Sequence, residues 1–293
     1  VYIPDFNFHR PASVQDACRI LTESSDSAPL AGGTDLLVEI KQGGRRHQDI
    51  VSLTAIAQLR DISADERALI IGAGATHNAI RGSRVVIDTF PAIAEAAATI
   101  GTDQIRNVGT IGGNLCTAAS CSDMAPMLMA LAAEVEITGI GTTRILPLEE
   151  FFVNHRATRL QKGELMTNII VRRGSRGVAS WYEKFGMRGA AAISVASVAV
   201  AMTLDGDLCT EARIVIGAVA PTPMLSKGAS SALSGQPLDL MAEGSPLLVQ
   251  AGEAAAADSL PIDDIRGSSD YRRTIIQVLT QRAVLRALAR ARE

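Results

Sequence analysis

The chain has 293 residues, 28 basic and 31 acidic side chains and a formal net charge of −3, which suggests about two domains at roughly 150 residues each. With 47 % hydrophobic and 20 % charged residues it can bury sizeable cores, so a disordered chain is excluded. The small net charge and 3 % aromatic content argue against a nucleic-acid binder, which needs a concentrated basic surface and stacking platforms.

The first fifty residues read as a strand, helix, strand unit. Ser13 can cap a helix through Leu21, with Val14, Ala17, Cys18 and Leu21 on one face. Pro29-Leu30-Ala31 then runs into Gly32-Gly33-Thr34-Asp35, and residues 49–53 are a second strand candidate after a polar turn. Residues 68–72 are strand-like, 76–81 can start a helix, and Pro91 opens an alanine-rich helix reaching Ile100. After the glycine-rich run 106–114, a helix is expected over 122–132 and a hairpin over 134–147 around Gly139 to Gly141.

From about Arg172 the pattern becomes that of a sheet. Residues 181–185 and 193–204 are strand-like, the latter alternating with Ile193, Val195, Ser197, Ala199 and Ala201 on one face. Asp205-Gly206 signals a hairpin returning into 212–219. The end of the chain, 269–292, reads as a long helix burying Tyr271, Ile275, Val278, Leu279, Leu285 and Leu288. Its Arg272, Arg273, Arg282, Arg286 and Arg290 are expected on a solvated face, with a partner interface as the alternative.

The apolar run 190–204 is interrupted by Ser194, Ser197 and Thr203 and is short for a membrane span. No basic and apolar leader opens the chain; it begins at Val1 rather than methionine, which points to processing or trimming ahead of it. Four cysteines are too sparse for a disulfide scaffold and suit a reducing cytoplasm.

Two glycine pairs carry most of the chemical information: Ala31-Gly32-Gly33-Thr34-Asp35 and Thr110-Ile111-Gly112-Gly113-Asn114. Paired glycines in a turn present adjacent N–H groups without Cβ hindrance, a geometry that binds phosphate. Two such nests, each preceded by an apolar strand, could grip the halves of a diphosphate, although a lone pair is more often an ordinary turn. Gly72-Ala73-Gly74 resembles a dinucleotide fingerprint, but His77 stands where its third glycine belongs, so it is read as a decoy. Cys116 and Cys121 have the opening spacing of a plant-type iron–sulfur motif, yet Met124 occupies the next cysteine position. Buried thiols are the better reading. His9, His47, His77 and His155 show no metal spacing, and no Ser-His-Asp set can be assembled.

Taken in order, these motifs and later segments resemble the FAD-binding medium subunit of the molybdenum hydroxylases, the carbon monoxide dehydrogenase and xanthine dehydrogenase type. The segments are 31–36, 106–115, Ser122-Asp123-Met124-Ala125-Pro126, Lys184-Phe185-Gly186-Met187-Arg188, Ala192-Ile193-Ser194-Val195 and 266–272. They follow the family's order over nearly the whole chain.

The resemblance implies an α+β protein: a two-part FAD-binding region of the vanillyl-alcohol-oxidase type, then a C-terminal α+β domain with a small antiparallel sheet. The boundaries expected are 1–55, 56–172 and 173–293. Leu30, Ala31, Gly32, Gly33, Thr34, Asp35 and Leu36 match the first cofactor motif, and Thr110, Ile111, Gly112, Gly113 and Asn114 the second. Asp123 matches an acid that helps fix the ribityl and nucleotide part; on pattern alone it could equally cap the helix after it. Leu165 or Met166 falls where an apolar residue packs on the cofactor, Lys184 matches a basic residue reaching toward the flavin, and Ile100 replaces a larger apolar residue of the xanthine dehydrogenase branch.

The resemblance further implies noncovalent FAD, with molybdopterin and [2Fe–2S] clusters only in partner subunits. The four-cysteine insert of one branch is absent. The partners implied are a large molybdopterin-binding subunit and a small [2Fe–2S] subunit, as a dimer of heterotrimers in the cytoplasm or at the inner face of the membrane. The chain would then carry electrons from the clusters through FAD to an external acceptor; the alternative is a self-contained flavin oxidase or reductase of a small molecule. No side chain is expected to act as a catalytic acid or base.

Overall fold

Ser13 accepts the amide of Asp16 and starts the helix Val14–Glu23, which buries Val14, Ala17, Cys18 and Leu21 as their spacing predicts. The computed structural model describes residues 3–174, 177–189 and 191–292; Val1 and Ala190, the first residue of the apolar run, lie outside the described residues. Strands Asn7–His9, Asp49–Ser52 and Ser27–Leu30 form a parallel sheet with Asp49–Ser52 in the middle. Residues Leu36–Lys41 form a helix whose Ile40 packs with Ala28 and Ile50.

A second sheet is antiparallel, in the order Ile62–Ala64, Ala68–Gly72, Leu165–Arg172, Glu134–Gly139 and Thr142–Pro147. Its last two strands are the expected hairpin. Helix Pro91–Ala98 starts on its proline, whose missing N–H costs nothing there. Helix Met124–Ala130 is buried along its whole length. Both helices merge with Leu69, Ile71, Val135, Ile137 and Ile169 into one core. Each fully buried side chain of this size contributes about 1.5–3 kcal/mol over leaving it exposed.

The third sheet runs Val178–Gly186, Ser194–Asp205, Leu208–Gly217 and Met224–Leu225, all antiparallel. The alternation of its second strand does not separate a wet face from a dry one, because residues 194–202 are all buried. Val198, Val200 and Met202 face helices Pro246–Asp258 and Ser269–Ala291. Ala199 and Ala201 join the core built around Met124–Ala130. Ile193 lies outside the strand and is exposed.

On the final helix the buried stripe follows Ile276, Leu279, Ala283 and Ala287. Leu288 is buried with it, whereas Tyr271 and Val278 are 44 % and 37 % exposed. Arg272, expected in solvent, is buried because it sits on that stripe four residues before Ile276. Its Nη1 donates to the carbonyls of Val195 (3.1 Å) and Ala218 (3.2 Å), and Nη2 lies 2.6 Å from Asp264. At the other end, Arg290 donates to Ser180 O (3.0 Å) and Glu95 Oε1 (2.5 Å), its guanidinium 4.3 Å from the Trp181 ring centre. The helix thereby ties the third sheet to the helix Pro91–Ala98.

Candidate functional site

A Cβ on Gly32 would lie 2.0 Å from the carbonyl oxygen of Val108, so glycine is what lets the two backbones meet. Gly33 has φ +73°, the left-handed region that glycine enters without penalty. Between them they turn the chain from strand Ser27–Leu30 into helix Leu36–Lys41. Among the described residues, no protein acceptor takes the amides of Gly32, Gly33, Thr34, Asp35 or Leu36. Consecutive N–H groups left in this way make an anion site.

The second glycine pair is built differently. It follows a helix, Asp103–Val108, rather than a strand, and lies in the first turn of helix Ile111–Thr117. Its amides are already engaged: Ile111 with Ala75 O (3.0 Å), Gly112 with Ala73 O (2.8 Å), Asn114 with Thr110 O (2.9 Å) and Gly113 with Thr110 Oγ1 (3.1 Å). A Cβ on Gly112 would lie 2.7 Å from Ala73 O. This motif lays its helix directly on the 73–75 backbone and is not a second nest of free donors.

Both motifs border one cleft of about 560 Å³. Residues 30–36 line one wall, and Thr110, Gly112, Gly113 and Asn114 another, with Ile100, Leu165 and Met166 adding apolar surface. Leu165 and Met166 both line it, beside the register shift between Met166 and Asn168, so neither excludes the other. Ile111 is wholly buried in the core and does not reach the cleft.

Asp123 and Lys184 are brought together directly behind the lining, next to Ser122 and Ile100, without lining the cleft themselves. Lys184 Nζ lies 2.7 Å from Asp123 Oδ2 and also donates to Thr99 O at 3.1 Å. Asp123 Oδ1 accepts from Tyr182 (2.8 Å) and Ser194 (2.5 Å). Burial, with Asp123 beside it, holds the Tyr182 phenol well above its ordinary pKa, so it stays a donor. The helix after Asp123 takes no cap from it; Ser122 Oγ accepts the Ala125 amide instead. The carboxylate therefore fastens the third sheet to the helix-covered core, a role that its helix-start pattern did not suggest.

The Gly72-Ala73-Gly74 turn is no phosphate loop, since Gly72 and Gly74 donate to Asp61 O (2.8 Å) and Leu59 O (2.6 Å). Yet Ala73, Gly74 and His77 line the cleft. His77 is 2 % exposed, and burial, assisted by Arg106, lowers its pKa to about 4. Between pH 6.5 and 4 the unfolded chain binds a proton that the folded chain refuses. The contribution of His77 to the stability of the cofactor-free protein is thus fully present above pH 6.5 and is expected to fall by about 3 kcal/mol as pH drops through that window. Urea unfolding at pH 7 and pH 4.5 should show this loss in the wild type and not in His77→Phe.

Cys116 and Cys121 are partly buried thiols that also line the cleft, Cys116 packing against the main core, and Cys18 and Cys209 are fully buried. Burial pushes Cys116 up to about 12, and burial with Asp123 raises Cys121, so both stay protonated thiols. At the cleft's rim Arg156, itself left-handed at φ 56°, pairs with Glu39, which also pairs with Arg45 at 2.9 Å. No sequence signal joins Arg156 to Glu39, 117 residues apart.

Residues 4–172 match the family described as FAD binding domain in molybdopterin dehydrogenase, and 181–287 the CO dehydrogenase flavoprotein C-terminal domain. The chain is 34 % identical to the carbon monoxide dehydrogenase medium chain of Afipia carboxidovorans, over 98 % of each chain. It is 30 % identical to the xanthine dehydrogenase FAD-binding subunit of Escherichia coli O157:H7, over 97 % of each. Among solved structures, a chain of reconstituted CO dehydrogenase from Oligotropha carboxidovorans superposes with a TM-score of 0.93 at 33 % identity, covering 99 % of this chain and 100 % of that one. Two matched models that take up most of the chain, full-length relatives and a shared fold agree: the chain belongs to the FAD-binding medium subunits of the molybdenum hydroxylase family.

Proposed function

We propose that the chain is the flavin relay of a three-part dehydrogenase, passing electrons from a small [2Fe–2S] subunit through FAD to an external acceptor. The observation that carries this is the run of unpartnered amides at 32–36, on the wall of a cleft that both glycine motifs border. A diphosphate fits such donors, and the close backbone approach at Gly32 holds the turn against Val108. Residues 30–36 would hold the diphosphate, Thr110, Gly112, Gly113 and Asn114 the adjoining part, and Ile100, Leu165 and Met166 the apolar faces. FAD, when bound, supplies the electron transfer; the chain's own groups bind it, orient it and exclude water.

The molybdopterin would sit in a large partner subunit, the assembly being a dimer of heterotrimers in the cytoplasm. Among the described residues no helix is long and apolar enough to cross a membrane. Gentle purification with co-expressed neighbouring subunits should yield a yellow particle containing one large partner and one small, cysteine-rich one. A colourless particle, or a chain that never joins a larger one, overturns the proposal. Turnover of a small donor by the chain alone would favour the self-contained oxidase instead.

A further inference from the structure

We propose that His77 is a cofactor ligand: its imidazole donates a hydrogen bond, through one ring nitrogen, to the diphosphate of FAD. This rests on the reading that residues 30–36 hold that diphosphate. The ring belongs to the cleft wall, is 2 % exposed, and its Nδ1 is buried with no hydrogen-bond partner. Among the described residues no polar group of the protein bonds either ring nitrogen, although the His77 backbone amide is fixed to Gly109 O at 3.0 Å. Nδ1 is sealed even from the cleft, so the nitrogen that can meet a ligand is Nε2, which no protein group bonds although the ring lines the wall.

The neighbours say which part of a cofactor that partner is. A Cβ on Gly109 would stand 3.3 Å from His77 Cδ2 and 3.6 Å from Thr34 Oγ1. His77 and Thr34 therefore flank the same side of Gly109, next to the first glycine motif, whose amides have no acceptor. Arg106, on the helix Asp103–Val108, adds positive charge there, and all its nitrogens are already engaged by Asn78, Ile100, Gly101 and Asp103. It cannot turn to meet a ligand, but its field favours an anion. The charged groups on neighbouring elements include Arg106 and Arg81, both paired with Asp103, and Asp35 beyond Thr34, the last accepting from Thr117 at 3.4 Å. Burial next to a cation keeps the imidazole neutral, so one nitrogen carries a proton to donate and no second positive charge is buried.

The test uses the full chain stripped of flavin and titrated with FAD, read by flavin fluorescence. His77→Phe keeps the ring's bulk and removes the donor; it should weaken FAD binding about tenfold or more, a loss typical of one hydrogen bond to a charged group. His77→Gln keeps an N–H and should recover part of that loss. In wild-type protein with 15N-labelled histidine, saturating FAD, or ADP as a diphosphate without flavin, should shift one His77 ring nitrogen. That readout does not depend on a variant folding. Ring-nitrogen signals unchanged at FAD saturation, or equal FAD affinity in wild type and His77→Phe, would overturn the role of His77. Gly33→Val separates the two failures: loss of FAD in that protein with an indifferent His77→Phe leaves the site standing without His77. Full FAD occupancy in Gly33→Val removes the site, and the proposal with it.

Discussion

Gly33→Val is expected to fold and to emerge from purification without FAD. At φ +73° an ordinary residue pays roughly 1–2 kcal/mol, and a β-branched one more, so the turn relaxes to a negative φ. The new Cβ would meet Leu37 Cδ1 at 2.8 Å, a side-chain end that can swing aside, and the fold survives. The amides on either side of residue 33 lose their common direction. Two hydrogen bonds to a charged group, at about 1.5–3 kcal/mol each, correspond to a fall of roughly a hundred- to ten-thousand-fold in affinity. Circular dichroism and the flavin-to-protein absorbance ratio, taken on one sample, check both halves. A folded variant with full flavin would remove Gly33 from the site.

The second large effect is expected at Asp123, and it falls on stability. Asp123→Ala leaves Lys184 Nζ buried without its carboxylate and takes the acceptor from Tyr182 and Ser194. Breaking a buried pair from one side costs about 3–5 kcal/mol, which for a protein of this size lowers the melting temperature by about 10 °C. Adding Lys184→Met should recover much of it, since an apolar replacement of both partners is far less costly than an orphaned charge. FAD affinity, corrected for the folded fraction, should move much less. A hundredfold loss of affinity at unchanged melting temperature would instead put the carboxylate on the cofactor.

What could be read in the sequence depended on how far apart the cooperating residues stand. Local signals were reliable: Ser13 as a cap, Pro91 as a helix start, Asp205-Gly206 as a hairpin. Residues 31–36 were readable as a turn that could leave amides free, because two glycines in a row remove the Cβ atoms that would cover them. The second pair looked the same but had its amides engaged by Ala73 and Ala75, a contact that no local pattern encodes. Asp123 reads on pattern alone as a helix-start acid, because its partners lie 59 to 71 residues later on another sheet. Arg272 was hidden by the company of its neighbouring arginines, since only helical phase distinguishes it. His77 carries no sequence signal of its own, because the glycines before it present the pattern of a different motif. The orphaned nitrogen that marks it exists only once the ring is buried.

The clamp at the far end of the final helix has a consequence for the order of events in the cell. Arg290 reaches back 195 residues to Glu95, on a helix whose following residues, Ile100 and Gly101, line the cleft. At about 5–20 residues per second of synthesis, Glu95 waits roughly 10–40 s for its partner to be made. The wall beside Ile100 is fastened by this contact only once residue 290 has been made. Cofactor capture is therefore expected to follow the making of that contact, which a pulse of synthesis chased by the appearance of flavin-bound chain would check.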